Sequence, residues 1–282
     1  MKIDRRTLSN PIAEGGEGII YKYRNQILKI FKPAVDLSEK LAKLEILINT
    51  PNLPSSAITP KEIVYSAAGD FIGYIMNDLS DIDEFGSLTN RKTLKSYGLK
   101  ISGLTKMLVS LRNTIKQLHD KNIFIGDLND SNVVFNSNFD TFILDTDSWS
   151  VGAYPCTVAM ESFKDPKLIG TKFSEKTDAY AFAILVFKTL TRLHPFGGVT
   201  TPDLDLITRM QKGLSVLNPK TKTIIPKIID PWDFMSPELI EFLHKIYDKN
   251  LREFLEKTLD DFSENLAMCK THDNDYYSKF DK

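Results

Sequence analysis

The chain contains 282 residues, of which 42% are hydrophobic and 26% charged, and its formal net charge is −1. These values are ordinary for a globular protein, and a charge this close to zero predicts neither a nucleic-acid nor a membrane-surface partner. Two cysteines exclude a disulfide framework, and no apolar run reaches the ~20 residues that span a bilayer. The first residues, MKIDRRTLSN, lack the apolar core of a secretory signal. We therefore expect a cytoplasmic protein.

A glycine-rich turn lies among the first three strands, which we expect between residues 8 and 31. Gly15, Gly16 and Gly18 precede the apolar Ile20, so a strand and not a helix follows the glycines. A dinucleotide-binding turn requires a helix at that point. Glycines between two strands let main-chain N–H groups approach an anion, which favours a flap over phosphates. A simple hairpin turn explains them equally well.

One lysine, Lys29, interrupts the apolar strand Ile27–Phe31. An ammonium group in such a strand is costly to bury unless an acid pairs with it. The helix predicted over Leu37–Asn49 carries two acids that are candidates for this pairing, Glu39 and Glu45. We favour Glu45, because it lies among apolar residues and is expected to point inward.

The middle and the end of the chain are predicted to be mostly helical. Strands are expected over Glu62–Tyr65 and Asp70–Met76, and a long helix over Leu99–His119. A nearly all-apolar run from Ala179 predicts a central helix that is buried on every side. Further helices are expected around 203–212, 236–248 and 252–268, and residues 271–282 are expected to form a polar tail.

Three oxygen-bearing side chains surround a predicted hairpin, whose strands Val133–Phe135 and Thr141–Leu144 flank a polar turn. Asp127 and Asn132 precede the hairpin, and Asp145 ends it. Each alone is explained as a turn or cap residue, but the three in this order indicate a site. Asn132 and Asp145 suit a hard divalent cation, and Asp127 suits a carboxylate that accepts a hydroxyl proton.

These motifs resemble those of the protein-kinase superfamily. The run GDLNDSN is similar to the catalytic loop HRDLxxxxN, and DTD stands in the position of DFG. The LHDKNI run and the TDAYAFAILVF…HPF run resemble the segments on either side of that loop. The resemblance spans roughly residues 10 to 268, and it looks closest to a divergent bacterial and phage group of serine/threonine-like kinases.

The resemblance implies an α+β, two-lobed, protein-kinase-like fold over residues 1–282 as a single domain. The N-terminal lobe, about 8–78, would hold an antiparallel sheet and one helix. The C-terminal lobe, about 79–270, would be mainly helical, with the tail over 271–282. Asp178 would be a buried cap that holds the main chain of the catalytic loop.

The resemblance also implies an activity: transfer of the γ-phosphoryl group of ATP to serine or threonine hydroxyls of protein substrates, with autophosphorylation, assisted by Mg²⁺ or alternatively Mn²⁺. Lys29, held by Glu45, would orient the phosphates, Asp127 would deprotonate the hydroxyl, and Asn132 and Asp145 would hold the metal. Asn77–Leu79 would present main-chain groups to adenine. The residues expected to bind ATP are Gly15, Gly16, Gly18, Ile20, Lys29, Glu45, Met76, Asn77 and Leu79.

Several positions depart from the family pattern. Gly126 replaces the arginine of HRD, Asn129 a lysine that neutralises the γ-phosphate, and Asp147 the glycine of DFG. Lys167 replaces the glutamate that normally pairs with a later arginine, here Arg252, so another acid must fill that role or the alignment there is wrong.

Two alternatives remain open. The glycine before Asp127 is shared with small-molecule kinases of the aminoglycoside and choline type. A nucleotide-binding pseudokinase scaffold is the alternative outside enzymes, although Lys29, Asp127, Asn132 and Asp145 are all present.

Overall fold

The computed structural model describes residues 1–79, 81–227, 229, 231–269 and 274–277. Within these residues the architecture is α+β, with a mixed six-stranded sheet and seven α-helices. None of the helices in this described part is long and apolar enough to cross a membrane.

The six-stranded sheet comes from the first quarter of the chain. Its strands are β1 (Lys2–Ile3), β2 (Ala13–Glu14), β3 (Gly18–Tyr23), β4 (Gln26–Phe31), β5 (Pro60–Ser66) and β6 (Phe71–Asn77), in the order β1-β5-β6-β4-β3-β2. Helix α1 (Lys40–Asn49) contacts β5. The three strands expected between residues 8 and 31 are confirmed as β2, β3 and β4.

The prediction of a purely antiparallel sheet is wrong at one edge. β1 pairs with β5 in parallel, with Lys2 opposite Tyr65 and Ile3 opposite Ser66. Two residues carry no readable periodicity, and their strand character comes from main-chain pairing with β5. The sheet is therefore mixed.

The rest of the described chain is mainly helical. Its helices are α2 (Arg91–Tyr97), α3 (Ile101–His119), α4 (Glu175–Thr191), α5 (Leu206–Lys212), α6 (Pro237–Asp248) and α7 (Lys257–Glu264). Its short strands are β7 (Asp83–Glu84), β8 (Ile123–Phe124), β9 (Val133–Phe135), β10 (Thr141–Ile143), β11 (Ser150–Val151), β12 (Val199–Thr200), β13 (Thr223–Ile224), β14 (Leu266–Cys269) and β15 (Asn274–Tyr277). The predicted hairpin is confirmed, since β9 and β10 pair antiparallel.

The end of the chain differs from expectation. The helix expected over 252–268 is shorter, and β14 and β15 pair antiparallel where we expected helix and polar tail. Main-chain groups of 266–269 therefore find their partners across the hairpin instead of along a helix. The remaining tail residues, 271–273 and 278–282, lie outside the described residues.

The helical part has its core around α4, in which every residue from Thr177 to Phe187 is buried, as predicted. Leu104, Leu108 and Leu111 of α3 belong to the same apolar cluster. The sheet has separate clusters on its two faces. Separate cores are compatible with a two-lobed arrangement. Residues 56–58 join the parts, since the main chain of Ile58 donates to Ile143 of β10 at 3.0 Å.

His194 ties the segment after α4 to the irregular segment before it. Its Nε2 donates to the carbonyl of Ser162 at 2.8 Å, and its Nδ1 accepts from the main-chain N–H of Phe196 at 3.1 Å. Burial lowers the pKa of His194 to about 4. The imidazole is therefore neutral in the folded protein at neutral pH.

This burial predicts a loss of stability in weak acid. The unfolded chain binds a proton at His194 near pH 6.5, whereas the folded chain does not until about pH 4. The stabilisation by the neutral imidazole is present above pH 6.5. The free energy of unfolding falls by about 2 kcal/mol between pH 7 and pH 5 because of this group. Urea unfolding of wild type and His194→Gln at both pH values measures it. If the difference in the free energy of unfolding between the two proteins stays constant with pH, the prediction is contradicted.

Candidate functional site

A cleft of about 660 Å³ lies between the six-stranded sheet and the segments around the β9–β10 hairpin. It brings together every predicted site residue except Glu45. The predicted residues that line it are Gly15, Gly16, Gly18, Ile20, Lys29, Met76, Asn77, Leu79, Asp127, Asn132 and Asp145. A volume of this size is typical of small-molecule and cofactor sites.

The glycine-rich turn forms one wall of this cleft. It connects β2 to β3, and the N–H of Gly15 donates to the carbonyl of Gly18 at 2.9 Å. A Cβ atom at Gly18 would lie 3.0 Å from Cε and 3.1 Å from Cγ of Lys29. Glycine at this position therefore leaves the room in which the lysine side chain lies.

Lys29 carries the positive charge of the cleft lining. Its Nζ donates to Oδ1 of Asp145 and to Oδ1 of Asp147, each at 2.6 Å, and the residue is 7% exposed. Burial disfavours the ammonium form, but the carboxylates of Asp147 and Asp145 outweigh it and hold the pKa of Lys29 well above its ordinary value. Lys29 is thus charged at neutral pH.

Asp147 is fully buried and accepts hydrogen bonds from three side chains. Besides Lys29, the Tyr74 hydroxyl donates to its Oδ1 at 2.7 Å and Lys40 Nζ to its Oδ2 at 2.9 Å. Burial opposes ionisation, but Lys29 and Lys40 outweigh it and keep the pKa of Asp147 below its ordinary value. The carboxylate is therefore ionised in the interior, where it is stable only with such partners.

The prediction that Glu45 pairs with Lys29 is wrong in this structure. The buried positions of α1 are Lys43, Leu44 and Leu47, and helical spacing places Glu45 on the opposite, exposed face. The alternative acid, Glu39, precedes α1 and is exposed as well. Asp147 fills the role instead, and the one signal for it in the sequence was a second carboxylate two residues after Asp145.

Asp127 is held by its own loop and by a later segment. Its Oδ1 accepts from Asn129 Nδ2 at 2.9 Å and from the main-chain N–H of Met160 at 2.7 Å, while its Oδ2 accepts from Asn132 Nδ2 at 3.1 Å. A carboxylate offers about four lone-pair sites. These three donors leave one site, on Oδ2, for a further hydroxyl.

Asp178 fixes the loop that carries Asp127. Its carboxylate accepts from the main-chain N–H groups of Ile125 and Gly126 and from His119 Nε2, each at 2.8 Å. The prediction that Asp178 is buried and holds the main chain of this loop is therefore confirmed. Its prediction as a helix cap is wrong, because the N-cap of α4 is Ser174 and Asp178 lies in the first turn. Gly126 has φ of 72°, and a Cβ there would lie 2.6 Å from Cβ of Cys156. This close packing excludes a larger residue, such as arginine, at position 126.

The acid that pairs with Arg252 is Asp165. Nε and Nη2 of Arg252 each donate to one of its carboxylate oxygens at 2.7 Å, and both side chains are largely buried. The guanidinium also lies over the Tyr180 ring, with its carbon 4.5 Å from the ring centre. Asp165 therefore takes the place of the family glutamate that Lys167 replaces, and it lies two residues before Lys167 in the chain.

Asn132 and Asp145 present oxygen atoms to the same cleft. Asn132 turns its Nδ2 toward Asp127, which leaves its amide oxygen as a ligand atom. Asp145 adopts a left-handed conformation, with φ of 59° and ψ of 43°, a strained state that is common at functional sites. Burial and the charge of Asp147 raise the pKa of Asp145. Amide and carboxylate oxygens suit Mg²⁺, which commonly takes few protein ligands beside phosphate oxygens and water.

The predicted segment at Asn77–Leu79 begins with the last residue of β6 and lines the cleft. Asp78 forms an ion pair there with Lys22 of β3. The expectation that main-chain groups of this segment contact adenine stays a prediction.

No family model matches the chain. A search of curated proteins finds similarity to "Probable serine/threonine-protein kinase roco9" of Dictyostelium discoideum, with 23% identity over 215 residues. The matched region covers 68% of this chain and 6% of that much longer protein. At this identity the similarity is a weak indication of a relationship to protein kinases and of nothing narrower.

Proposed function

We propose that this chain is an ATP- and Mg²⁺-dependent protein kinase with a two-lobed, kinase-like fold in a single domain. One observation carries the proposal: the glycine-rich turn, Lys29, Asp127, Asn132 and Asp145, distant in sequence, line one cleft. The weak similarity to a serine/threonine kinase supports the same class of reaction. We further propose that the acceptors are serine or threonine hydroxyls of protein substrates, including this chain itself.

Catalysis would consist of positioning and electrostatics. The free lone-pair site on Asp127 Oδ2 orients the acceptor hydroxyl and takes its proton as the oxygen attacks the γ-phosphorus and the bond to ADP breaks. Lys29 places a fixed positive charge on the phosphates. Asn129 and Asn132 keep the Asp127 carboxylate in position through their amide groups.

Asn132 and Asp145 would hold the metal ion, Mg²⁺ or alternatively Mn²⁺. Such an ion neutralises phosphate charge when it is bound. Asn132 would offer its amide oxygen, because its Nδ2 already donates to Asp127, and Asp145 would offer Oδ2, because Lys29 donates to its Oδ1.

A second candidate is a nucleotide-binding protein without phosphotransfer. It is favoured by the hydrogen bond that the main-chain N–H of Met160 donates to Asp127 Oδ1 at 2.7 Å, because this bond uses part of the carboxylate that would accept the hydroxyl proton. The glycine before Asp127 is weaker support for a small-molecule kinase, because the packing of Cys156 requires glycine there whatever the acceptor is.

The test uses purified wild type and Asp145→Asn with radiolabelled ATP, Mg²⁺ and a generic protein acceptor, beside ATP-induced thermal shifts. We expect label on protein for wild type and a loss of about 100-fold or more in the variant, because one metal ligand loses its charge. A chelator should abolish labelling in both proteins.

Other outcomes discriminate among the candidates. A thermal shift without any transfer would favour the nucleotide-binding protein. Label on aminoglycosides, choline or similar hydroxyl compounds, but not on protein, would favour the small-molecule kinase. If the protein shows no ATP-induced thermal shift and transfers no phosphate, the proposed function is contradicted.

A further inference from the structure

We infer that Asp147 is the residue that positions Lys29 for phosphotransfer, and that Lys40 couples this pair to the glycine-rich turn. The inference rests on the proposed function and deepens it. According to this inference, Lys29 is positioned by a residue of the short segment after the hairpin and not by an acid of α1.

The first step is the difference between the two acids that contact Lys29. The Asp145 side chain is 32% exposed and lines the cleft, whereas Asp147 is fully buried. A cation in the cleft can therefore draw Asp145 away from the lysine, and a phosphate can take its place on Lys29. Asp147 has no access to the cleft and remains in place as the permanent partner of Lys29.

The second step is the rigidity of Asp147 itself. Its donors come from three separate elements: Lys29 from β4, Tyr74 from β6 and Lys40 from the first turn of α1. Three donors at 2.6–2.9 Å fix a buried carboxylate in one orientation. That orientation in turn fixes the direction in which Lys29 points.

The third step is the link from Asp147 to the cover of the cleft. Lys40 Nζ donates to Oε2 of Glu17 at 2.6 Å as well as to Asp147, and it lies 5.2 Å from the centre of the Phe31 ring. Glu17 belongs to the glycine-rich turn and lines the cleft. Charges of alternating sign thus run from Lys29 through Asp147 and Lys40 to Glu17.

One consequence separates this arrangement from a helix-held lysine. The permanent partner of Lys29 and the proposed metal ligand Asp145 lie two residues apart, so the two positions depend on the same segment. Displacement of α1 would break the Lys40 link and loosen the glycine-rich turn, while Lys29 would keep its partner.

The experiment compares Asp147→Asn with Glu45→Gln and Glu39→Gln in the full chain. Because a misplaced reacting group costs about 100-fold, we expect Asp147→Asn to lower kcat by about that factor and ATP affinity by about tenfold. Both glutamate variants should stay within about twofold of wild type, because these side chains face solvent. A loss in Glu45→Gln equal to that in Asp147→Asn would overturn the inference.

A double-mutant cycle with Lys29→Met tests whether Asp147 acts through the lysine. In the Lys29→Met background, Asp147→Asn should lower kcat and ATP affinity by less than about threefold, because the interaction is already gone. Full additivity would indicate a merely structural role and overturn the inference. ATP affinity is measured by calorimetry, so this cycle can be completed even if wild type transfers no phosphate. Failure of the inference can therefore be distinguished from failure of the proposed function.

The Lys40 link has its own readout. Lys40→Met and Glu17→Gln should each raise the KM for ATP about fivefold. Glu17→Gln should leave kcat within about twofold, whereas Lys40→Met, which also removes a donor from Asp147, should lower kcat about fivefold, and the double variant should be no worse than Lys40→Met. A fall in kcat without a change in KM would contradict the link. If Asp147→Asn does not fold, Tyr74→Phe, which removes one donor and no charge, should lower kcat about fivefold; an unchanged kcat would overturn the assignment.

Discussion

Replacing Asp127 by asparagine is expected to lower phosphotransfer by about 1,000-fold while the ATP-induced thermal shift is retained. Asparagine has nearly the same shape but does not take up a proton, so the acceptor hydroxyl loses its base. Its NH₂ group also meets the donors on Asn129, Asn132 and Met160, which now hold a carboxylate. The measurement is the single-turnover rate with radiolabelled ATP.

The matched control for this variant is Asp120→Asn, which makes the same change at an exposed aspartate seven residues earlier. It should transfer phosphate at the wild-type rate. Equal rates for Asp127→Asn and Asp120→Asn would remove Asp127 from the mechanism. A lost thermal shift in Asp127→Asn would show that the carboxylate serves binding instead of proton transfer.

Replacing Asp178 by alanine is expected to destabilise the protein by about 3 kcal/mol, because buried donors left without an acceptor each cost about 1–3 kcal/mol. The main-chain N–H groups of Ile125 and Gly126 and the His119 ring would lose their common acceptor. Phosphotransfer should fall as well, because the loop that carries Asp127 loses its support.

Thermal unfolding followed by circular dichroism measures this effect, and about 3 kcal/mol corresponds to a Tm lower by roughly 5 °C. Glu175→Ala, an exposed acid three residues earlier on the same helix, is the control and should leave the Tm almost unchanged. If both variants unfold at the same temperature, Asp178 does not hold the loop. The comparison needs no assumption about the acceptor of the phosphate.

Much of the secondary structure was predictable from the sequence, because it depends on local periodicity. α3 and α4 carry long apolar patterns at helical spacing, and the β9–β10 hairpin is bounded by a polar turn. β1 and the β14–β15 pair escaped prediction, since they exist only through pairing with another segment. Pairing of that kind leaves almost no local pattern in two to four residues.

The sequence by itself determined which residue types meet in the cleft, because motif order and spacing place Lys29, Asp127, Asn132 and Asp145 on strands and loops that face one another. Only the tertiary structure decided which acid each cation contacts. Lys29 pairs with Asp147 although Glu45 is closer in the chain, and Arg252 pairs with Asp165. The physical reason is that an ion pair forms within about 4 Å, and that distance depends on how separate elements pack, not on their spacing in sequence.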